Sequence, residues 1–145
     1  MKFLSVLAFS ALAFATSNIR KGTLSIIKGP FSDKGIPISV IDGRLVANQG
    51  TTYFEHDQKL QTLKHMDSGT YLNINGQGKF LFLNEPLQGF RLVSKGLINP
   101  VLQLDFQGTD VFELCANNVL GYDSSCATVG DTRHVRIKFT HTPEE

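Results

Sequence analysis

Three features of this 145-residue sequence predict an all-β fold. Short β-prone runs follow one another from Thr23 to Thr140, cut by Gly, Asn, Asp and Pro. Within the runs apolar and polar residues tend to alternate at period two, and almost nothing repeats at helical period. About twelve runs fall within roughly 120 residues, the strand count of a β-trefoil-like barrel and the spacing typical of β-sandwiches and barrels. The trefoil-like barrel is the favoured expectation and a two-sheet β-sandwich the alternative, because the sequence shows no clean threefold repeat.

The first strand is expected over Thr23–Lys28, ended by Gly29-Pro30. Pro37–Ile41 and Arg44–Ala47 flank Asp42-Gly43, a two-residue connection whose members accept φ > 0 and so specify a type I′ hairpin. Thr51–His56 and Lys59–Lys64 are separated by Asp57-Gln58, and Thr70–Ile74 and Lys79–Leu83 by the glycine-bearing turn Asn75-Gly76-Gln77-Gly78. Phe90–Ser94, Val101–Phe106, Val111–Ala116, Val119–Tyr122 and Val135–Thr140 complete the set. In the run from Val101, Leu102, Leu104 and Phe106 share one face while Gln103 and Asp105 share the other, and Phe112 and Leu114 continue the pattern. Phe80, Leu81, Phe82 and Leu83 do not alternate, which predicts a central strand buried on both faces. Eleven phenylalanines and no tryptophan give an aliphatic and aromatic core.

The N-terminus reads as a signal peptide over residues 1–15. Lys2 supplies a short positive region, Phe3 to Phe14 an apolar stretch, and Ala13-Phe14-Ala15 the small-x-small pattern of a cleavage site, after which the text turns polar at Thr16. The apolar stretch is short of the ~20 residues that span a bilayer. Residues 16–22 are expected to be a flexible extension, residues 23–141 a single all-β domain and residues 142–145 a tail. The product is expected to be secreted, to the medium or the cell wall, with no membrane anchor, since Thr142-Pro143-Glu144-Glu145 offers no apolar tail.

Removal of residues 1–15 takes away Lys2 and no acid, lowering the basic count from 14 to 13 against 13 acidic residues. A neutral chain without a basic run lacks the electrostatic footprint of a nucleic-acid binder. Two cysteines in an exported chain predict a disulfide between Cys115 and Cys126 across a loop rich in Asn, Asp, Gly and Ser. Two cysteines without a neighbouring His pair make only half a zinc site, and no Asn-x-Ser/Thr sequon occurs.

Candidate catalytic groups read better as structure. His56 and His65 lie nine residues apart, match no metal spacing, and are expected on a solvated hairpin edge. His134 and His141 bracket the last strand, too far apart to share a metal. Asp67-Ser68-Gly69 occurs once and reads as a hairpin turn, and no Gly-x-Ser-x-Gly elbow is present. Asp105, Asp110 and Glu113 cluster in sequence without a cleft signature to make them a glycosidase pair. Gly76-x-Gly78 is too short for a dinucleotide loop. A non-enzymatic protein without cofactors is therefore expected.

Ile38 to Leu45 with its Asp42-Gly43 hairpin, Asn73 to Phe80 with Gly76-Gln77-Gly78-Lys79, and Leu102 to Gly108 leading through Val111 to Leu114 and Cys115 resemble, in that order, fungal secreted cell wall proteins. The likeness is to the phialide cell-wall-protein family and the small yeast cell wall mannoproteins. It implies a structural or surface-interaction role in the wall or extracellular matrix, with wall polysaccharide or wall proteins as partners. On that implication Asn73, Asn75, Gln77, Asn117, Asn118 and Tyr122 are the candidate sugar-binding side chains, although the same residues are ordinary turn formers. The alternative is a secreted binding module of another class: a lectin, a protease inhibitor or a host-directed effector.

Overall fold

The computed structural model describes residues 18–27, 35–48, 50–115, 117–123 and 133–143. Among these residues there are twelve strands and no helix: β1 (Ile19–Ile27), β2 (Ile36–Ile41), β3 (Arg44–Ala47), β4 (Tyr53–Asp57), β5 (Thr62–His65), β6 (Tyr71–Ile74), β7 (Phe80–Leu83), β8 (Phe90–Lys95), β9 (Val101–Phe106), β10 (Phe112–Leu114), β11 (Leu120–Gly121) and β12 (Arg133–His141). Each expected run carries one strand, so the all-β class stands. The signal-peptide segment lies outside the described residues.

Two boundaries move for identifiable reasons. Residues 19–22, expected to be flexible, belong to β1, because Ile19 to Gly22 pair with Asp57 to Phe54 of β4. The Thr142 N–H then donates to the Lys21 carbonyl at 2.8 Å, tying the start of the C-terminal tail to the same strand. β5 begins at Thr62 rather than Lys59, because Asp57 Oδ1 accepts the N–H groups of Lys59 and Leu60 at 2.9 and 3.0 Å and folds them into a turn. At Asp42 and Gly43 φ is 52° and 72°, the two positive values a type I′ turn requires.

β1 pairs with β4 and β12, β4 with β5, β9 with β8 and β12, all antiparallel. The other six strands form three hairpins, β2–β3, β6–β7 and β10–β11. These hairpins touch through single bridges, Val46 to Val119 and Lys79 to Gly121. The twelve-stranded antiparallel sheet is not closed into a barrel, which corrects the favoured expectation of a trefoil-like barrel; the open sheet fits the all-β class with its sandwich alternative. The sheet is interrupted between β5 and β8. β5 is four residues long and Lys64 is engaged by Tyr71 of β6, so β8 meets the β5 side only where the N–H groups of Gly89 and Phe90 donate to the Gln61 carbonyl, both at 3.0 Å.

Every strand sends a side chain into the core. Leu24, Ile38, Leu45, Phe54, Leu63, Leu72, Phe80, Phe90, Leu104, Phe112, Leu120 and Ile137, one from each strand in chain order, are all 1% exposed or less. Fully burying an aliphatic or aromatic side chain stabilises by roughly 1.5–3 kcal/mol, so these twelve positions dominate the fold's favourable energy. Ring pairs consolidate them, with Phe90 and Phe106 centroids 4.7 Å apart and Phe80 and Phe112 5.7 Å apart.

The strand buried on both faces is not the expected one. In β7 only Phe80 is buried, Leu81 and Phe82 are intermediate and Leu83 is exposed, because β7 ends the main sheet path rather than occupying its centre. β9 is flanked by β8 and β12 and buries Gln103, Leu104, Asp105 and Phe106 in succession. Asp105 is tolerated there because its Oδ1 accepts the Gly108 N–H at 2.8 Å and meets the Arg91 guanidinium at 3.4 Å.

Candidate functional site at the sheet break

The unpaired flank of β8 opens a cleft of about 400 Å³ lined by His56, Gln58, Gln61, Arg91, Leu92, Val93 and Ser94. That volume lies within the range of small-molecule sites. In the ladder with β9, Phe90 opposes Phe106 and Leu92 opposes Leu104. The Phe90 N–H points across the break to Gln61, so by antiparallel parity the backbone groups of Leu92 and Ser94 also face the break, while Arg91 and Val93 bond to β9. Backbone donors and acceptors, two side-chain amides and a hydroxyl therefore line the cleft together with Leu92 and Val93, whose side chains leave β8 on opposite faces, Leu92 toward the core.

His56 forms the inner wall. Its ring is 1% exposed and its Nε2 lies 2.8 Å from the Phe90 carbonyl. A carbonyl only accepts, so Nε2 carries the proton and donates, which leaves Nδ1 as a bare acceptor without a partner among the described residues. Burial pushes the His56 pKa below its ordinary 6.5; the bond to Phe90 and the charge of Asp57 raise it, and Arg20 lowers it further. The ring is thus neutral at physiological pH. Arg91, the charged residue of the lining, sits against Asp105 at 3.4 Å, so the cleft is close to neutral overall. Such a wall suits an uncharged ligand rich in hydroxyl groups.

No protein-family model matches this chain, and no curated protein or solved structure is found to match it.

The turn residues singled out in the sequence lie at the other end of the molecule, on the hairpins. Asn73 Nδ2 donates to the carbonyls of Tyr71 and Glu85 at 3.1 and 2.8 Å. Asn75 Oδ1 accepts the N–H groups of Gln77 and Lys79 at 2.9 and 3.0 Å, shaping its own turn, whereas Gln77 is exposed. Asn117 Oδ1 accepts the Val119 N–H at 3.3 Å, and Asn118 takes φ 65° while its carbonyl accepts the Ala47 N–H at 2.8 Å. Tyr122 packs edge-on to Phe106 with centroids 5.1 Å apart, and its N–H donates to the Gly78 carbonyl at 2.8 Å, bringing it beside the Asn75–Gly78 turn. The amides of Asn73, Asn75 and Asn117 are thus engaged in shaping the hairpins themselves.

Cys115 follows β10 and its N–H donates to the Val119 carbonyl at 2.9 Å; no described cysteine is free, and Cys126 lies outside the described residues. His65 Nδ1 meets Ser68 Oγ at 2.7 Å, and Ser68 Oγ meets Thr70 Oγ1 at 2.6 Å, a chain of bonds inside the β5–β6 turn. Among the described residues no three His, Cys, Asp or Glu side chains are placed to hold a metal.

The sequence reading missed His56 as an interior group and assigned it to a solvated edge. Period two held the signal: in Thr51–His56 the histidine falls on the face of Phe54, and both are buried.

Proposed function

We propose that this chain is a non-enzymatic extracellular protein of the cell wall or matrix, exported by cleavage after Ala15, which holds wall polysaccharide in the cleft at the sheet break. The observation that carries the reading is the nearly neutral, amide- and hydroxyl-bearing lining of that cleft along the free edge of β8. Sugar rings present hydroxyl groups that pair with Gln58, Gln61, Ser94 and the β8 backbone, and C–H faces that pack on the apolar side chains of the lining. The resemblance of its motif order to that of fungal wall proteins supports the wall as the destination. A Cys115–Cys126 disulfide completes the proposal, closing the segment between β10 and β12 in an oxidising compartment.

Calorimetric titration of the mature protein with soluble β-glucan, mannan and chitin oligosaccharides tests the cleft, with Gln58→Ala and Ser94→Ala as variants on its rim. Binding that both substitutions weaken supports the proposal; binding indifferent to both, or none to any glycan, removes it. Fractionation of the native host into medium, detergent-extractable wall and covalently bound wall tests the location.

A further inference from the structure

Antiparallel pairing sorts the connections into two sets. The three hairpins occupy one end, whereas the start of β1, the turn between β4 and β5, the turn between β8 and β9 and the end of β12 lie at the other. That hairpin-free end gathers exposed aliphatic side chains from segments far apart in sequence: Ile19 is 43% exposed, Leu60 49%, Leu97 102% and Ile98 90%. Leu97 and Ile98 stand together at the tip of the β8–β9 turn, after Gly96 with φ 101° and before Pro100. Scattered aliphatic residues on a surface need no explanation, but a convergence of this kind marks an interaction surface.

The charge at this end is also uneven. Residues 18–21, 57–61, 95–101 and 139–143 contain four cations, Arg20, Lys21, Lys59 and Lys95, and one carboxylate, Asp57, in a chain whose formal net charge is only +1; Lys95 Nζ also lies 4.0 Å from Asp110 Oδ2, a carboxylate it shares with Arg136 at 3.5 Å. Asp57 is turned inward onto the N–H groups of Lys59 and Leu60, while Lys59 and Lys95 are exposed. Projecting aliphatic tips need a medium they can enter, and basic side chains beside them need anions at its surface. A bilayer with anionic headgroups supplies both at the same depth.

We propose that the hairpin-free end docks on an anionic lipid surface, with Leu97, Ile98 and Leu60 entering the boundary between headgroups and acyl chains and Lys59 and Lys95 meeting lipid phosphates. This surface adjoins the cleft, sharing the β4–β5 turn and the end of β8 with it, but it uses Lys59, Leu60, Lys95, Leu97 and Ile98, none of which lines the cleft.

Co-sedimentation of the mature protein with vesicles tests it, using phosphatidylcholine alone and phosphatidylcholine mixed with phosphatidylglycerol. Binding to the mixed vesicles is expected to be at least about tenfold tighter than to the neutral ones and to weaken with salt. Leu97→Ser with Ile98→Ser is expected to lower it about tenfold or more, and Lys59→Glu with Lys95→Glu to erase the preference for anionic lipid. Circular dichroism of each variant checks that the fold is retained. Equal binding to both vesicle types, or full binding by the Leu97/Ile98 variant, overturns the proposal. So does a dimer in light scattering that this same variant dissolves, which would make the end a self-association surface.

Discussion

Substitution of Phe80 and Leu83 by alanine, one at a time, measures whether β7 is a one-faced edge strand or a strand buried on both faces. Phe80 is 1% exposed and packs on Phe112, so Phe80→Ala removes a ring from a filled core and is expected to cost about 3–5 kcal/mol. Leu83 is 44% exposed, so the folded state buries only about half of a side chain whose full burial is worth roughly 1.5–3 kcal/mol. Its loss leaves no enclosed cavity, and Leu83→Ala is expected to cost no more than about 1.5 kcal/mol. The two variants should therefore differ by about 1.5 kcal/mol or more, a large share of the 5–15 kcal/mol that stabilises a typical domain. Urea titrations followed by far-UV circular dichroism give both values from the shift in midpoint at constant slope. Should Phe80→Ala fail to fold, Phe80→Leu supplies a milder measurement at the same site. Equal losses at the two positions would refute the one-faced assignment.

His56 predicts a pH dependence whose sign follows from its burial. Its folded pKa lies below the ordinary 6.5, so as pH falls the unfolded chain takes up the proton first. The contribution to stability is intact above pH 6.5 and declines below it, no more steeply than about 1.4 kcal/mol per pH unit, until the folded state is protonated too. Urea midpoints of the wild type and His56→Gln compared across this range should converge on acidification; parallel curves would remove His56 as the cause. Gly43→Val forces a β-branched residue into φ 72° where its Cβ meets no neighbour, so the penalty is backbone strain of about 1–2 kcal/mol, measurable by thermal melting. Cys115→Ser is expected to cost about 2–3 kcal/mol if the short loop to Cys126 is closed in the wild type, and thiol titration of the unfolded, unreduced protein should find none free. Terminal sequencing of the secreted protein should read from Thr16 or within a few residues of it, and an intact Met1 would contradict export by cleavage.

The sequence by itself determined the strands, the turns and most of the core, because these depend on neighbours in the chain. Period two marks Leu104 and Phe106 as inward, and Asp42-Gly43 specifies its hairpin through the φ values those residues accept. Only the tertiary structure decided which strands meet and what covers each face. Alternation separates Gln103 from Leu104 but cannot say that neighbours would bury both, nor that four apolar residues in β7 would end up at the margin of the sheet. The break between β5 and β8, and with it the cleft and the buried His56, depends on register carried across the whole sheet. Such long-range register leaves no local mark in the sequence, because each strand fixes only its own faces and the offset appears only when distant strands pair.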